Sequence, residues 1–183
     1  GAGHIARQLV PLVETVGMKC VIVDDRPQFA DSEHFPPTSE VIVSDFEDCF
    51  EKLAITPASF IVIVTRGHKY DQLVLSKAVR TQAGYIGLIG SKPKIAGIYK
   101  TLRDEGISQE ELDEIHAPIG IDIGSRTPEE IAVSVVGEMI HWRRQSDTNW
   151  NPISKAMFAK KKISDADISP KTSSGIEISV KPK

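Results

Sequence analysis

Gly1-Ala2-Gly3-His4-Ile5-Ala6 opens the chain, and its reading decides the fold. It matches the G-x-G-x-x-G/A turn, in which the first glycine permits a tight bend. The second lets a phosphate approach the backbone, and the small sixth residue lets helix and strand pack closely. A helix beginning here would aim free N–H groups at an anion. Ile5, Leu9, Leu12, Val13 and Val16 share one helical face, and Pro11 is expected to kink that helix. Next comes an apolar run ending in Asp24, 21 residues after Gly3, where a carboxylate would meet a ribose 2′-hydroxyl.

Outward from the turn, short apolar runs at 19–25, 40–43, 60–65, 85–90 and 119–124 read as strands buried on both faces. Helical patterns at 69–82 and 92–105 separate them. Ser108 with Glu111, and Thr127-Pro128 with Glu130, mark two further helix starts. The second of these would bury Ile131, Val135, Met139 and Trp142. This alternation predicts an α/β fold, a Rossmann-like doubly wound parallel sheet covered on both sides. The strand that should lead into Gly1 is absent, so the sheet is expected to have its first, central strand truncated and two neighbours unpartnered. We read the chain as a piece of a longer protein, cut inside a motif.

The chain has 183 residues, 40% apolar and 26% charged, with net charge −3. That suffices for one core and excludes a wholly disordered chain. The acidity argues against nucleic acid, and no apolar run approaches the ~20 residues of a membrane span. Cys20 and Cys49 cannot make a disulfide framework, which points to the cytoplasm. Residues 146–183 carry net +3 and residues 1–145 net −6. We take 1–145 as the folded unit and 146–183 as a mobile or loosely docked tail, in which 176–180 (IEISV) alternates like an edge strand.

The strand ends hold the candidate chemistry. Gly1, Gly3 and His4 line the first turn, and Asp24 and Arg26 follow the first apolar run. Arg26 could meet a 2′-phosphate or another anion. Thr65 and His68 close the run at 60–65, and His68 could act as an acid–base group or a phosphate donor. Gly90 and Ser91 lead into a helix with Lys92 and Lys94 in its first turn, where cations sit poorly unless an anion shares the site. Gly124 and Ser125, with Arg126 beside them, precede the last helix. Ligands of open α/β sheets bind at the carboxyl ends of the strands, so all five loops should gather on one edge. His116 is expected to organise a loop, with His34 and His141 on the surface. Neither H-x-x-x-H nor C-x-x-C occurs, which argues against a preformed zinc site. Cys49 has acidic neighbours and is not assigned a sulfur-carrying role.

GAGHIA, VDDRPQFA, VIVTRGHKYD, YIGLIGSKPK and HAPIGIDIGSRTPEEIAVSVVGEM, in this order, resemble the C-terminal Rossmann domain of the XdhC/CoxI family. The resemblance covers roughly residues 1–145, and the stretch from His116 to Glu138 is its most specific part. It implies an accessory factor that binds molybdenum cofactor, a molybdopterin. Such a factor assists the cofactor's sulfuration with a cysteine desulfurase and its insertion into a molybdenum hydroxylase apo-enzyme such as xanthine dehydrogenase. It also implies site roles for Gly1, Gly3, His4, Asp24, Arg26, Thr65, His68, Asp71, Gly90, Ser91 and Lys94. Gly124, Thr127, Pro128 and Glu130 belong to the same set.

Two other readings compete. An NAD(P)-dependent oxidoreductase would use the same turn, with Asp24 on the ribose and His68 as acid–base group. A protein-interaction module would keep the glycine turn as a relic. A homodimer is possible under any of them.

Overall fold

The computed structural model describes residues 1–145, in which helices and strands alternate. The tail assigned to 146–183, including the 176–180 pattern, lies outside the described residues. Helix α1 (His4–Thr15) leaves the glycine turn and continues through Pro11. It buries Ala6, Leu9, Val10 and Val13 on one face, a stripe with helical spacing. Strands β1 (Val21–Asp24) and β2 (Glu40–Val43) follow and pair in parallel, with Val21 opposite Glu40 and Asp24 opposite Val43. A second parallel pair joins β3 (Phe60–Ile63) to β4 (Tyr85–Leu88), in register from Phe60–Tyr85 to Ile63–Leu88. Between β3 and β4 runs α2 (His68–Ala78), shorter than the 69–82 pattern, since Val79 already caps it. Helices α3 (Lys92–Asp104), α4 (Gln109–Asp113) and α5 (Pro128–Arg144) complete the described residues.

Helices cover both faces. Leu75 of α2, Ile95 and Leu102 of α3, and Leu112 of α4 pack with Ile63 and Leu88 on one side of the β3–β4 pair. On the other side, Leu9 and Val13 of α1 meet Val135 and Met139 of α5 over Tyr85. A third cluster seats α1 on β1 through Ala2, Ala6, Val10 and Ile22. This is the doubly wound arrangement that the alternation predicts. Burial on both faces holds for β4, whereas β2 is half-buried to exposed along its length, as an outer strand is.

Among the described residues the sheet is two separate pairs. A groove of about 1160 Å³ lies between them, lined by Val21–Val23 of β1 and by Phe60–Ile63 of β3. Among the described residues, β1 and β3 each face it with an edge that pairs with no other strand.

The run at 119–124 is not a strand. Sheet-like bonding next to β4 falls instead on 116–119: Leu88 N–H donates to His116 O, His116 N–H to Ile86 O and Ile119 N–H to Leu88 O. At Gly120 the backbone turns to φ 102°, a left-handed value that favours glycine. From there the chain bonds to α5: Ile121 N–H donates to Ser134 O, and Gly120 N–H to Glu138. Ile119 and Ile121 therefore pack against α5 while Ile123 is exposed, and in sequence the run imitates a buried strand.

Leu75 has no exposed surface and sits among three helices and two strands. Leu75→Ala is expected to cost about 2–5 kcal/mol of unfolding free energy. Val133 is half exposed on α5, and Val133→Ala should stay within about 0.5 kcal/mol. Urea unfolding of both variants checks the contrast.

Candidate functional site

Parallel strands deliver their carboxyl ends, and the loops that follow them, to one edge of a sheet. Three polar ties join four of those loops here. The glycine turn is tied to the end of β1 by Ala2 N–H, which donates to Asp24 Oδ2 at 2.9 Å. The β1 loop is tied to the β3 loop by Arg66, whose two terminal nitrogens grip both oxygens of Asp25. The β3 loop is tied to α3, after β4, through Asp71. Thr65 Oγ1 donates to Asp71 Oδ1 at 2.6 Å, and the Lys94 ammonium lies against Oδ2 as an ion pair lacking hydrogen-bond geometry. The glycine turn also closes on β3. A Cβ at Gly1 would stand 2.4 Å from the Val64 carbonyl oxygen, so only glycine fits.

Asp24 is 1% exposed, and protein donors take both its oxygens. Oδ2 accepts from Ala2 N–H and Arg26 Nη2 (3.0 Å). Oδ1 accepts from Arg26 N–H (3.1 Å) and Nε (2.9 Å). Burial alone would push this carboxyl up. The Arg26 side chain and the Ala2 and Arg26 amides outweigh it and hold the group well below the carboxylate range. The expected meeting of Asp24 with a ribose hydroxyl thus finds its oxygens already filled, and its work in this structure is to fasten the turn.

The two arginines stand over aromatic rings. Arg26 sits 3.6 Å from the Phe29 ring centre, and Arg66 sits 4.3 Å from that of Tyr70. Tyr70 is in turn held edge-on by Phe46 at 5.4 Å.

The helix starts differ in a way that marks the same edge. Helices α1, α2 and α3 begin after Gly3, Gly67 and Ser91 with no side chain capping them. Their first amides are therefore left without a side-chain acceptor. Helices α4 and α5 have complete capping boxes, Ser108 with Glu111 and Thr127 with Glu130. His4 and His68 are the exposed first residues of α1 and α2, and Ser91 and Lys92 are exposed at the start of α3.

The fifth loop behaves otherwise. Gly124 has φ 71° and Ser125 is half-buried, but the amides of Arg126 and Thr127 both donate to Glu130. Those two amides are thus spent on the loop's own helix. Hydrogen bonds tie 120–127 to α5.

His116 organises its loop. Its Nδ1 lies 3.0 Å from Glu138 Oε1, which also accepts from the Tyr85 hydroxyl at 2.6 Å. Trp142 packs edge-on against it at 4.8 Å. His34 is exposed; His141 is half-buried, with its pKa pushed down by burial. Burial also pushes the Cys20 thiol up to about 11, with help from Glu14, and raises that of Cys49. Both thiols are therefore protonated at neutral pH. Among the described residues no group of three His, Cys, Asp or Glu gathers to hold a metal ion, and no helix is long and apolar enough to cross a membrane.

Asp25, Arg66, Phe29 and Tyr70 escaped assignment from sequence. Asp25 and Arg66 stand 41 residues apart, and no spacing rule joins them. The available signal was their placement: each directly follows the carboxyl end of a strand flanking the glycine turn.

The family model for the XdhC Rossmann domain matches residues 1–139. An Escherichia coli (strain K12) protein described as uncharacterized protein YqeB is 31% identical over 141 residues. That alignment covers 76% of this chain and 26% of the relative. A Bacillus subtilis (strain 168) protein, described as a probable component of xanthine dehydrogenase, is 28% identical over 145 residues, 79% of this chain and 42% of that one. A crystal structure titled as a xanthine dehydrogenase from Bacillus halodurans superposes with a TM-score of 0.70 at 31% identity. It covers 83% of this chain and 43% of the other. The chain thus spans less than half the length of each of these relatives.

Because the Asp24 carboxyl is depressed in the fold, its stabilisation is complete above its ordinary value of 3.8 and drains away as pH falls below it. Thermal unfolding followed from about pH 6 to about pH 2.5 should show this loss. Asp24→Asn should start from a lower midpoint and fall less steeply. Parallel curves for the two proteins would remove Asp24 from that role.

Proposed function

The chain belongs to the XdhC Rossmann-domain family, and from that premise we propose that it is the cofactor-holding part of a maturation factor for a molybdenum hydroxylase. Its cargo in this reading is molybdenum cofactor, a pterin with an anionic phosphate tail. The factor would hold the cofactor during sulfuration by a cysteine desulfurase and then release it to an apo-enzyme such as xanthine dehydrogenase, in the cytoplasm. The names of the Bacillus subtilis and Bacillus halodurans proteins support the choice of hydroxylase.

The observation that carries the proposal is the contrast in helix capping. Three helices start uncapped at the edge where the ties bring four loops together, and two self-capped helices do not. Uncapped amides beside a glycine turn whose Gly3 has open space in front of it fit an anionic group approaching the backbone. In this reading Gly1, Gly3 and His4 take the phosphate end. Lys94, oriented by Asp71 and Thr65, adds a cation from the opposite wall. Gly90 keeps that lysine close, since a Cβ there would come within 3.1 Å of its Cδ. Such a site binds through backbone donors and a few screened charges, which suits a carrier that must let its cargo go. Neither protonated thiol is suited to carrying sulfur, so the sulfur step falls to the desulfurase.

An NAD(P)-dependent oxidoreductase shares the glycine turn, but the filled oxygens of Asp24 weigh against a diol reader at that position. Purified chain incubated with molybdenum cofactor and re-isolated should retain pterin fluorescence and molybdenum, and then restore activity to apo-xanthine dehydrogenase. Lys94→Ala should weaken retention about tenfold. Failure to retain pterin, together with substrate-dependent reduction of a tightly bound nicotinamide dinucleotide, would overturn the carrier in favour of the oxidoreductase.

A further inference from the structure

Two guanidinium groups and two carboxylates meet where the β1 and β3 loops close over the glycine turn, and their roles are unequal. Asp24 is a buried strut whose oxygens receive four protein donors. Asp25 has the looser hold. Its side chain is 14% exposed, Arg66 grips it from the facing loop, and Arg26 Nε reaches no nearer than 3.9 Å. Arg66 is itself one-third exposed. Arg66 Nη1 also lies 3.9 Å from Asp24 Oδ1, so one acidic strut draws both guanidinium groups to the same place. Each guanidinium stands over an aromatic ring, with the Arg26 Nε and Nη2 on Asp24 and the Arg66 terminal nitrogens on Asp25.

We infer that Arg26 and Arg66 form a receptor for a phosphomonoester, with Asp25 as the counter-ion that it displaces. The inference rests on the reading of this edge as a cofactor site. The guanidinium fork matches phosphate as well as carboxylate, and a dianion with three acceptor oxygens takes the Arg66 fork that Asp25 gives up and still accepts from Arg26 Nη1, while Arg26 Nε and Nη2 stay on Asp24. Asp25 is the group that can leave, because its side chain is held by Arg66, whereas Asp24 receives four donors from the turn and from Arg26. Asp24 cannot take over the role of reading a free hydroxyl, since its acceptors are spent. The crevice therefore favours a ligand bearing a terminal phosphate over the same ligand without it. That chemistry has two sources, the phosphate tail of a pterin and a 2′-phosphate on adenosine.

Titration calorimetry on the purified chain with two ligand pairs tests this. One pair is 6-hydroxymethylpterin phosphate and 6-hydroxymethylpterin; the other is NADP⁺ and NAD⁺. The phosphorylated member should bind about tenfold tighter in at least one pair, and the responding pair identifies the source. Arg66→Ala should shrink the preference to about twofold or less, and Arg66→Lys should leave it well short of the original, since the charge stays while the fork is lost. Asp25→Asn should tighten the phosphorylated ligand about threefold and leave its unphosphorylated partner unchanged. Thermal midpoints of the variants confirm that they are folded. Equal affinities within both pairs overturn the receptor, and so does a preference that survives Arg66→Ala. If the two pterins bind equally and the dinucleotides do not differ, the receptor falls while the carrier reading stands. A response confined to the dinucleotide pair supports the receptor and counts against a pterin cargo.

Discussion

A single buried carboxylate holds this edge in place. Asp24 closes β1, and its bond from Ala2 N–H fixes where the glycine turn sits and hence where α1 begins. Burying a charge is costly unless donors surround it, and this one receives four. The same carboxylate draws Arg26 inward, and Arg66 lies close behind. The positions of both arginines, and through them of Asp25, descend from one aspartate at a strand end.

The second constraint is apolar. α1 belongs at once to the cluster over β1 and to the cluster it shares with α5 over β4. It thus connects the two strand pairs, which share no hydrogen bonds with each other. Polar ties at the carboxyl edge and helix packing beneath them both join the two pairs.

Much of this was legible in the chain. The glycine turn, the parallel alternation and both capping boxes follow from local rules, because turn sterics, strand burial and end-capping act over a few residues. The run at 119–124 misled because apolar residues lining a helix look like those of a buried strand. Only the positive φ at Gly120 and the bonds to Ser134 and Glu138 distinguish them. The candidate site was legible by strand end rather than by partner. Gly1, Asp24, Thr65 and Lys94 fall within the linked loops, whereas Gly124 and Ser125 precede a helix that satisfies its own amides. The Asp25–Arg66 and Asp71–Lys94 pairs could not be read off, since contacts between separate loops carry no sequence period.

The grip of Arg66 on Asp25 joins the loop after β1 to the loop after β3, while α1 joins the same two strand pairs from beneath by apolar packing. A substitution at Asp25 or Arg66 therefore acts on both walls of the crevice at once, and a substitution on the buried face of α1 reaches the same edge from below.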